Sequence, residues 1–243
     1  MAPDRYFEDP AIDALLQNAR LVAFDLNGLI LNDEPLQIAA ANAVLERFGT
    51  GFTEAAWMIR FFGRRSADYF TEIMKEIGQA DDLNFIRTLV AEKDRHYRGL
   101  LRQHLQDCIF PGAVTLIRHL HHRREKLLAL ATSASREELE SIMGPPGLRL
   151  LDLFHVVVCG EDVEKGKPDP ETYFQVASRS GVEPSAVLVL EDSAIGARSA
   201  DVAGMPVVAV PNRFTASHDF TTVRMIISDL TPKARRIITG ELK

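Results

Sequence analysis

Cysteine is nearly absent from this chain: Cys108 and Cys159 are the only two in 243 residues. They form no metal-ligand spacing, and each stands beside apolar residues, so two buried thiols are expected rather than a disulfide. A basic excess is missing too. The formal net charge is −6, which argues against nucleic acid as a partner. No apolar run approaches the roughly 18 residues of a membrane span, so no membrane partner is expected. Met1 to Pro10 is polar and acidic without a signal-peptide pattern, and a reducing, cytoplasmic setting fits. Internal repeats and low-complexity segments are absent, and nothing in the sequence sets an oligomeric state. The nucleotide-binding glycine motifs are lacking as well. Gly160 to Lys167 has the outline of a P-loop, but five residues separate its glycines and Pro168 stands where Ser or Thr is required. No G-x-G-x-x-G follows the first strand, which excludes the usual dinucleotide site.

Hydrophobic residues make up 46% of the chain, enough to bury a sizeable core. The chain is organised around Leu21-Val22-Ala23-Phe24-Asp25-Leu26-Asn27-Gly28. A short, continuous apolar run reads as a buried parallel strand. Asp25 then stands at its carboxyl end, the edge where ligands bind in open α/β sheets. Taken alone, the stretch could equally be a strand closed by an Asx turn.

Helical patterns follow from Pro35 to Phe48, Thr53 to Phe62, Ser66 to Ile77 and Asp82 to Gln106, with no strand among them. This block predicts a separate helical domain over residues 34–108, inserted between 1–33 and 109–243. Beyond it, strand and helix alternate. Strands are predicted at Lys126 to Ala131, Phe154 to Val158, Ala186 to Leu190, Pro206 to Val210 and Met225 to Ile227, with helices at Val114 to Arg123 and Thr172 to Arg179 and one opened by Ser193. The fold class is therefore α/β: a Rossmann-like, doubly wound parallel sheet with an all-helical insert.

Four strand ends would then share one edge, offering Asp25, Thr132, a loop carrying Lys167, and Glu191-Asp192. Carboxylates suit Mg²⁺, a hydroxyl and an ammonium suit phosphoryl oxygens, and one carboxylate can act as nucleophile. Each residue has a plainer reading: Thr132 and Ser133 as turn and cap, Lys167 as a solvated loop lysine, Glu191-Asp192 as a strand end and helix cap. His119, His121 and His122 lack partners spaced for a metal site and read as an exposed polar face.

The stretches FDLNG at 24–28, NDEPL at 32–36, PG at 111–112, LALATS at 128–133, GKPDP at 166–170 and EDSAIGARSADVAGM at 191–205 resemble the haloacid dehalogenase superfamily. The resemblance is strongest to its β-phosphoglucomutase and sugar-phosphate phosphatase subgroup. It implies a Mg²⁺-dependent phosphohydrolase acting on a small phosphorylated metabolite through an aspartyl-phosphate, with the helical block as a cap. Asp25 matches the nucleophile and Lys167 the bridging lysine. Thr132, with Ser133 beside it, matches the phosphate-binding hydroxyl. Asp192 matches a magnesium ligand, with Glu191 as second acidic contributor and the backbone carbonyl of Asn27 facing the metal. Gly63-Arg64-Arg65-Ser66 resembles the cap's specificity loop, and Arg64 or Arg65 could meet a distal anion of the substrate. One departure is central. The resemblance implies a second aspartate at position 27, serving as general acid and base, and this chain has Asn27. An amide exchanges no proton at a useful pKa, so binding should survive while turnover suffers. Asn27 is read either as a substitution or as natural drift, and Leu29 and Asn32-Asp33, which also depart from the pattern, lean towards drift. A phosphomutase and a non-catalytic phosphate-binding protein stay open as alternatives.

Overall fold

The computed structural model describes residues 5–62, 64, 66–80, 82–145 and 147–237. Contacts divide the chain into two compact units, residues 1–32 with 108–243, and residues 33–107.

The first unit holds the sheet. Its strands are β1 (Leu21–Phe24), β2 (Leu127–Ala131), β3 (Val156–Val158), β4 (Val187–Glu191), β5 (Val207–Ala209) and β6 (Met225–Ile226), in the order β3-β2-β1-β4-β5-β6. All pairs are parallel. β1 lies between β2 and β4, with Phe24 in register with Leu130 and Leu190. The chain thus winds outward from β1 in both directions, as a doubly wound sheet does. Every residue of β1 and β4 is buried, which explains why both read as unbroken apolar runs rather than alternating ones.

The helices of this unit are α1 (Pro10–Asn18), α6 (Pro111–Arg123), α7 (Arg136–Met143), α8 (Glu171–Ser180) and α9 (Ala194–Val202). Their starts follow from local chemistry. Asp9 accepts from the Ala11 and Ile12 amides, Ser135 from Glu138, and Ser193 from Gly196, each filling an otherwise unsatisfied N-terminal donor. Helix α6 begins at Pro111, three residues before the sequence reading placed it, because proline suits a first turn. Small residues of α9, Ala197 and Ala200, and Tyr173 and Val176 of α8 pack into the same core as Ala23, Ala129 and Val189. Both cysteines are buried, and Cys159 Sγ donates to Asp162 at 3.0 Å.

The second unit contains α2 (Glu34–Leu45), α3 (Glu54–Arg60), α4 (Ser66–Glu76) and α5 (Leu83–His104). Among its described residues there is no strand. Its core gathers Trp57, Phe61, Tyr69, Phe70, Met74 and Leu89 against Val44 and Leu45. Phe52 meets Trp57, Phe61 and Tyr69 with ring centroids 4.8–5.7 Å apart, a tilted and edge-on cluster that aromatic quadrupoles favour. Pro35 to Phe48 is not one uniform helix: the last turn, Glu46–Phe48, tightens to 3₁₀ and Gly49 closes it with φ +69°, as glycine at a helix end allows.

Of the α6 histidines, His122 is exposed as its pattern implied, while His119 and His121 are half-buried. His119 stacks against Tyr6 with centroids 4.9 Å apart, and His121 Nδ1 lies 3.3 Å from the Leu153 carbonyl. No helix among the described residues is long and apolar enough to cross a membrane.

Candidate active site

The direction in which the chain adds strands reverses between β1 and β4, and the site is built where those two parallel strands end. Asp25 follows β1 immediately, its amide donating to Leu190 O at 3.1 Å. Glu191 is the last residue of β4, and Asp192 is the next. In this parallel register the three carboxylates must converge. Oxygens of Asp25, Glu191 and Asp192 lie within 4.8 Å of one another, and the residues are only 7%, 1% and 2% exposed.

Lys167 ties this cluster together. Its ammonium donates to Asp25 Oδ1 at 2.7 Å, Glu191 Oε1 at 2.6 Å and the Ala131 carbonyl at 3.1 Å. The loop that delivers it runs from β3 to α8, with a cis peptide between Lys167 and Pro168. Burial alone would discharge an ammonium, but the charges of Asp25 and Glu191 outweigh it and hold Lys167 well above its ordinary pKa. It therefore stays cationic. Burial pushes the Asp25 carboxyl up to about 7, with Glu191 adding to the rise and Lys167 opposing it.

Glu191 is fully engaged by its neighbours. Oε1 also accepts from Tyr173 OH at 2.9 Å, and Oε2 accepts from the Ser193 hydroxyl at 3.1 Å and amide at 3.3 Å. Burial, then the charge of Glu191, raise the Tyr173 phenol well above its usual range, so it remains a neutral donor. Space for this carboxylate exists only because residue 196 is glycine: a Cβ there would lie 1.9 Å from Oε1. Asp192 is held differently. Asn212 Nδ2 donates to its Oδ2 at 2.9 Å, and the carboxylate packs over Gly28, whose φ of +88° glycine accepts without strain.

Thr132 follows β2 and is 1% exposed. Its Oγ1 accepts the Ala134 amide at 3.0 Å, which leaves the O–H to donate. Ser133 beside it is exposed. Asn27 is half-buried and its backbone bridges to Leu31, closing the turn after Asp25. Arg64 belongs to the second unit, where its guanidinium meets Glu72 at 2.7 Å and the Arg60 carbonyl at 3.3 Å. Arg65 lies outside the described residues. Tyr173, Gly196 and Asn212 also build the site, and the sequence reading singles out none of them.

The donors fit a hard divalent cation. All are oxygens, they are crowded and buried, and one ammonium does not balance three carboxylates. Among the described residues no other group of three or more ligating side chains meets the same test.

Comparison with known proteins agrees with this fold. The sequence pattern of the haloacid dehalogenase-like hydrolases matches residues 22–210. The chain is 34% identical over 188 residues to a phosphorylated carbohydrates phosphatase of Thermotoga maritima, covering 76% of this chain and 81% of that one. In fold it is similar to CbbY from Rhodobacter sphaeroides, solved in complex with phosphate, with a TM-score of 0.75 at 21% identity over 87% of this chain and 95% of that one. It is similar too to a β-phosphoglucomutase from Clostridium difficile, with a TM-score of 0.71 at 17% identity over 87% and 92% of the two chains. With a six-stranded parallel sheet wound outward from β1 and a matched pattern from Val22 to Val210, the chain belongs to the haloacid dehalogenase-like hydrolase family.

Proposed function

We propose that this protein is a Mg²⁺-dependent phosphatase of small phosphorylated metabolites, phosphorylated carbohydrates first among them. The observation that carries the reading is Asp25: a buried carboxylate at the end of β1, held by Lys167 and flanked by Asp192. Asp25 attacks phosphorus, the P–O bond to the metabolite breaks, and an aspartyl-phosphate remains until water displaces it. Asp25 and Asp192 would hold the metal with the Asn27 carbonyl, while Glu191 adds negative charge and orients Lys167. Bound there, Mg²⁺ would offset the repulsion between the carboxylates and an anionic substrate. Lys167 and the hydroxyls of Thr132 and Ser133 neutralise and orient the phosphoryl oxygens. Arg64 and Arg65 are the candidates for a distal anionic group. The second unit serves as the cap domain.

Asn27 sets the pace in this scheme. The departing alkoxide needs a proton and the attacking water must lose one, and an amide does neither. Proton transfer of this kind contributes ~10²–10⁴ in rate. The parent chain is therefore a slow phosphatase, and Asn27 is also the feature that favours the second reading, a phosphate-binding protein without turnover. Transfer to a sugar hydroxyl, as in a mutase, would use the same aspartyl-phosphate.

The test is phosphate release with Mg²⁺ across sugar phosphates and an aryl phosphate, for the parent, Asn27→Asp and Asp25→Asn. The expected order is Asn27→Asp above the parent by ~10²–10⁴ on sugar phosphates, and Asp25→Asn inactive. Turnover that survives in Asp25→Asn sinks the nucleophile assignment. A parent and an Asn27→Asp form that both bind phosphate without releasing it from any ester establish the binding-protein reading instead.

A further inference from the structure

We infer that Asn212 is a positioning residue that holds the Asp192 carboxylate in place for the metal. The inference rests on the reading above, in which Asp192 is a metal ligand.

Asn212 follows β5, across the sheet edge from the β1 loop. Its carboxamide is oriented without ambiguity. Oδ1 accepts the Phe214 amide at 2.7 Å, so the opposite terminus must be the NH₂ group. That group donates twice, to Asp192 Oδ2 at 2.9 Å and to the Gly28 carbonyl at 3.0 Å. The backbone beneath is fixed as well. The Asn212 amide donates to Thr215 Oγ1 at 2.9 Å, and its carbonyl accepts from Thr215 N at 3.1 Å and Ala216 N at 2.9 Å.

Asp192 also packs against Gly28, where a Cβ would lie 2.1 Å from the same Oδ2. The carboxylate is therefore held against a bare glycine and by an amide donor. Through the Gly28 carbonyl, the same amide ties the β4 end to the loop that carries Asp25. Only an amide suits the place. Aspartate at 212 would set a second carboxylate against Asp192 and the Gly28 carbonyl, and an apolar side chain would leave both acceptors without this donor. Partners that orient metal ligands in this way typically change metal affinity by ~10–100-fold when removed.

The experiment measures Mn²⁺ affinity, read as the free-ion electron paramagnetic resonance signal, on the full chain without substrate. It compares the parent with Asp192→Asn, Asn212→Ala, Asn212→Leu and Thr215→Val. Asn212→Ala should weaken Mn²⁺ binding ~10–100-fold, while Thr215→Val, which keeps the carboxamide and disturbs only the backbone beneath it, should stay within about twofold. Asn212→Leu fills the same space and replaces the alanine variant if that one does not fold. Unchanged affinity in the Asn212 variant while Asp192→Asn loses the ion overturns this inference alone. Equal losses in Thr215→Val and Asn212→Ala also overturn it, because loop order rather than the donor would then be responsible. Unchanged affinity in Asp192→Asn removes the metal reading, and this inference with it.

Discussion

Replacing Lys167 with methionine removes a cation and little volume, so its effect isolates charge. In the parent, one ammonium donates to Asp25 at 2.7 Å and Glu191 at 2.6 Å, all three side chains being at most 11% exposed. Removing one partner of a buried pair typically costs ~3–5 kcal/mol, because the remaining charge has neither water nor counter-ion. Here two carboxylates lose the same partner, so the cost in a metal-free protein should lie at the upper end of that range near pH 8. The sign with pH follows from Asp25. Its folded-state pKa, about 7, lies above the ordinary 3.8. Its contribution to stability is therefore fully present below about pH 4 and is lost as pH rises through about 7. Without Lys167 the carboxyl moves higher still, so at about pH 5.5 it is protonated and the penalty shrinks. Urea unfolding in chelator, parent against Lys167→Met at about pH 5.5 and about pH 8, should show a stability gap that widens with pH. A gap below ~1 kcal/mol at the higher pH, or one that does not change with pH, refutes the argument that Lys167 neutralises this cluster.

Two further outcomes follow from the same reasoning. Gly196→Ala would ordinarily stabilise a helix by ~0.5–1 kcal/mol, but here its Cβ would meet Glu191 Oε1 at 1.9 Å. We expect net destabilisation of ~1–3 kcal/mol together with loss of phosphatase activity; a variant that unfolds at or above the parent's urea midpoint contradicts the packing described for Glu191. In the second unit, burial and then the Asp33 charge push Glu34 up to about 8, against the Trp57 indole N–H at 2.6 Å and Lys93. This carboxyl's contribution is full below its ordinary 4.5 and lost as pH rises through about 8. Glu34→Gln keeps an acceptor for Trp57 and should gain thermal stability over the parent at about pH 9 but not at about pH 5; equal shifts at both pH values would dispose of the assignment.

The sheet was legible because each strand is short, apolar and bounded. Leu21–Phe24 and Val187–Glu191 are buried on both faces, so their composition carries the signal that periodicity does not. Boundaries drifted where turns compete. Phe154 belongs to the end of a 3₁₀ turn rather than to β3, and the helix opening at Ser66 ends at Glu76 rather than Ile77. The carboxylates were visible because a charge at the end of a buried strand is conspicuous against its background, whereas Lys167, in the loop after β3, was legible through the GKPDP stretch at 166–170. Tyr173 was not, since an aromatic residue on an amphipathic helix normally signals core. Its hydroxyl reaches Glu191 because α8 packs on β2 and β3 and buries Tyr173 in the sheet core.

Asn212 shows the limit more sharply. Locally it is a turn asparagine after a strand: its Oδ1 accepts from the amide two residues on, the usual Asx pattern. That local bond consumes one end of the carboxamide and thereby aims the other end at Asp192, 20 residues earlier in the chain, and at Gly28, 184 residues earlier. No spacing rule links those three positions. What links them is the strand order, which sets β4 between β1 and β5, so that the loops after all three strands meet above one edge. A residue of this kind is found only once the order of strands is known, because its partner is chosen by the sheet and not by the sequence around it.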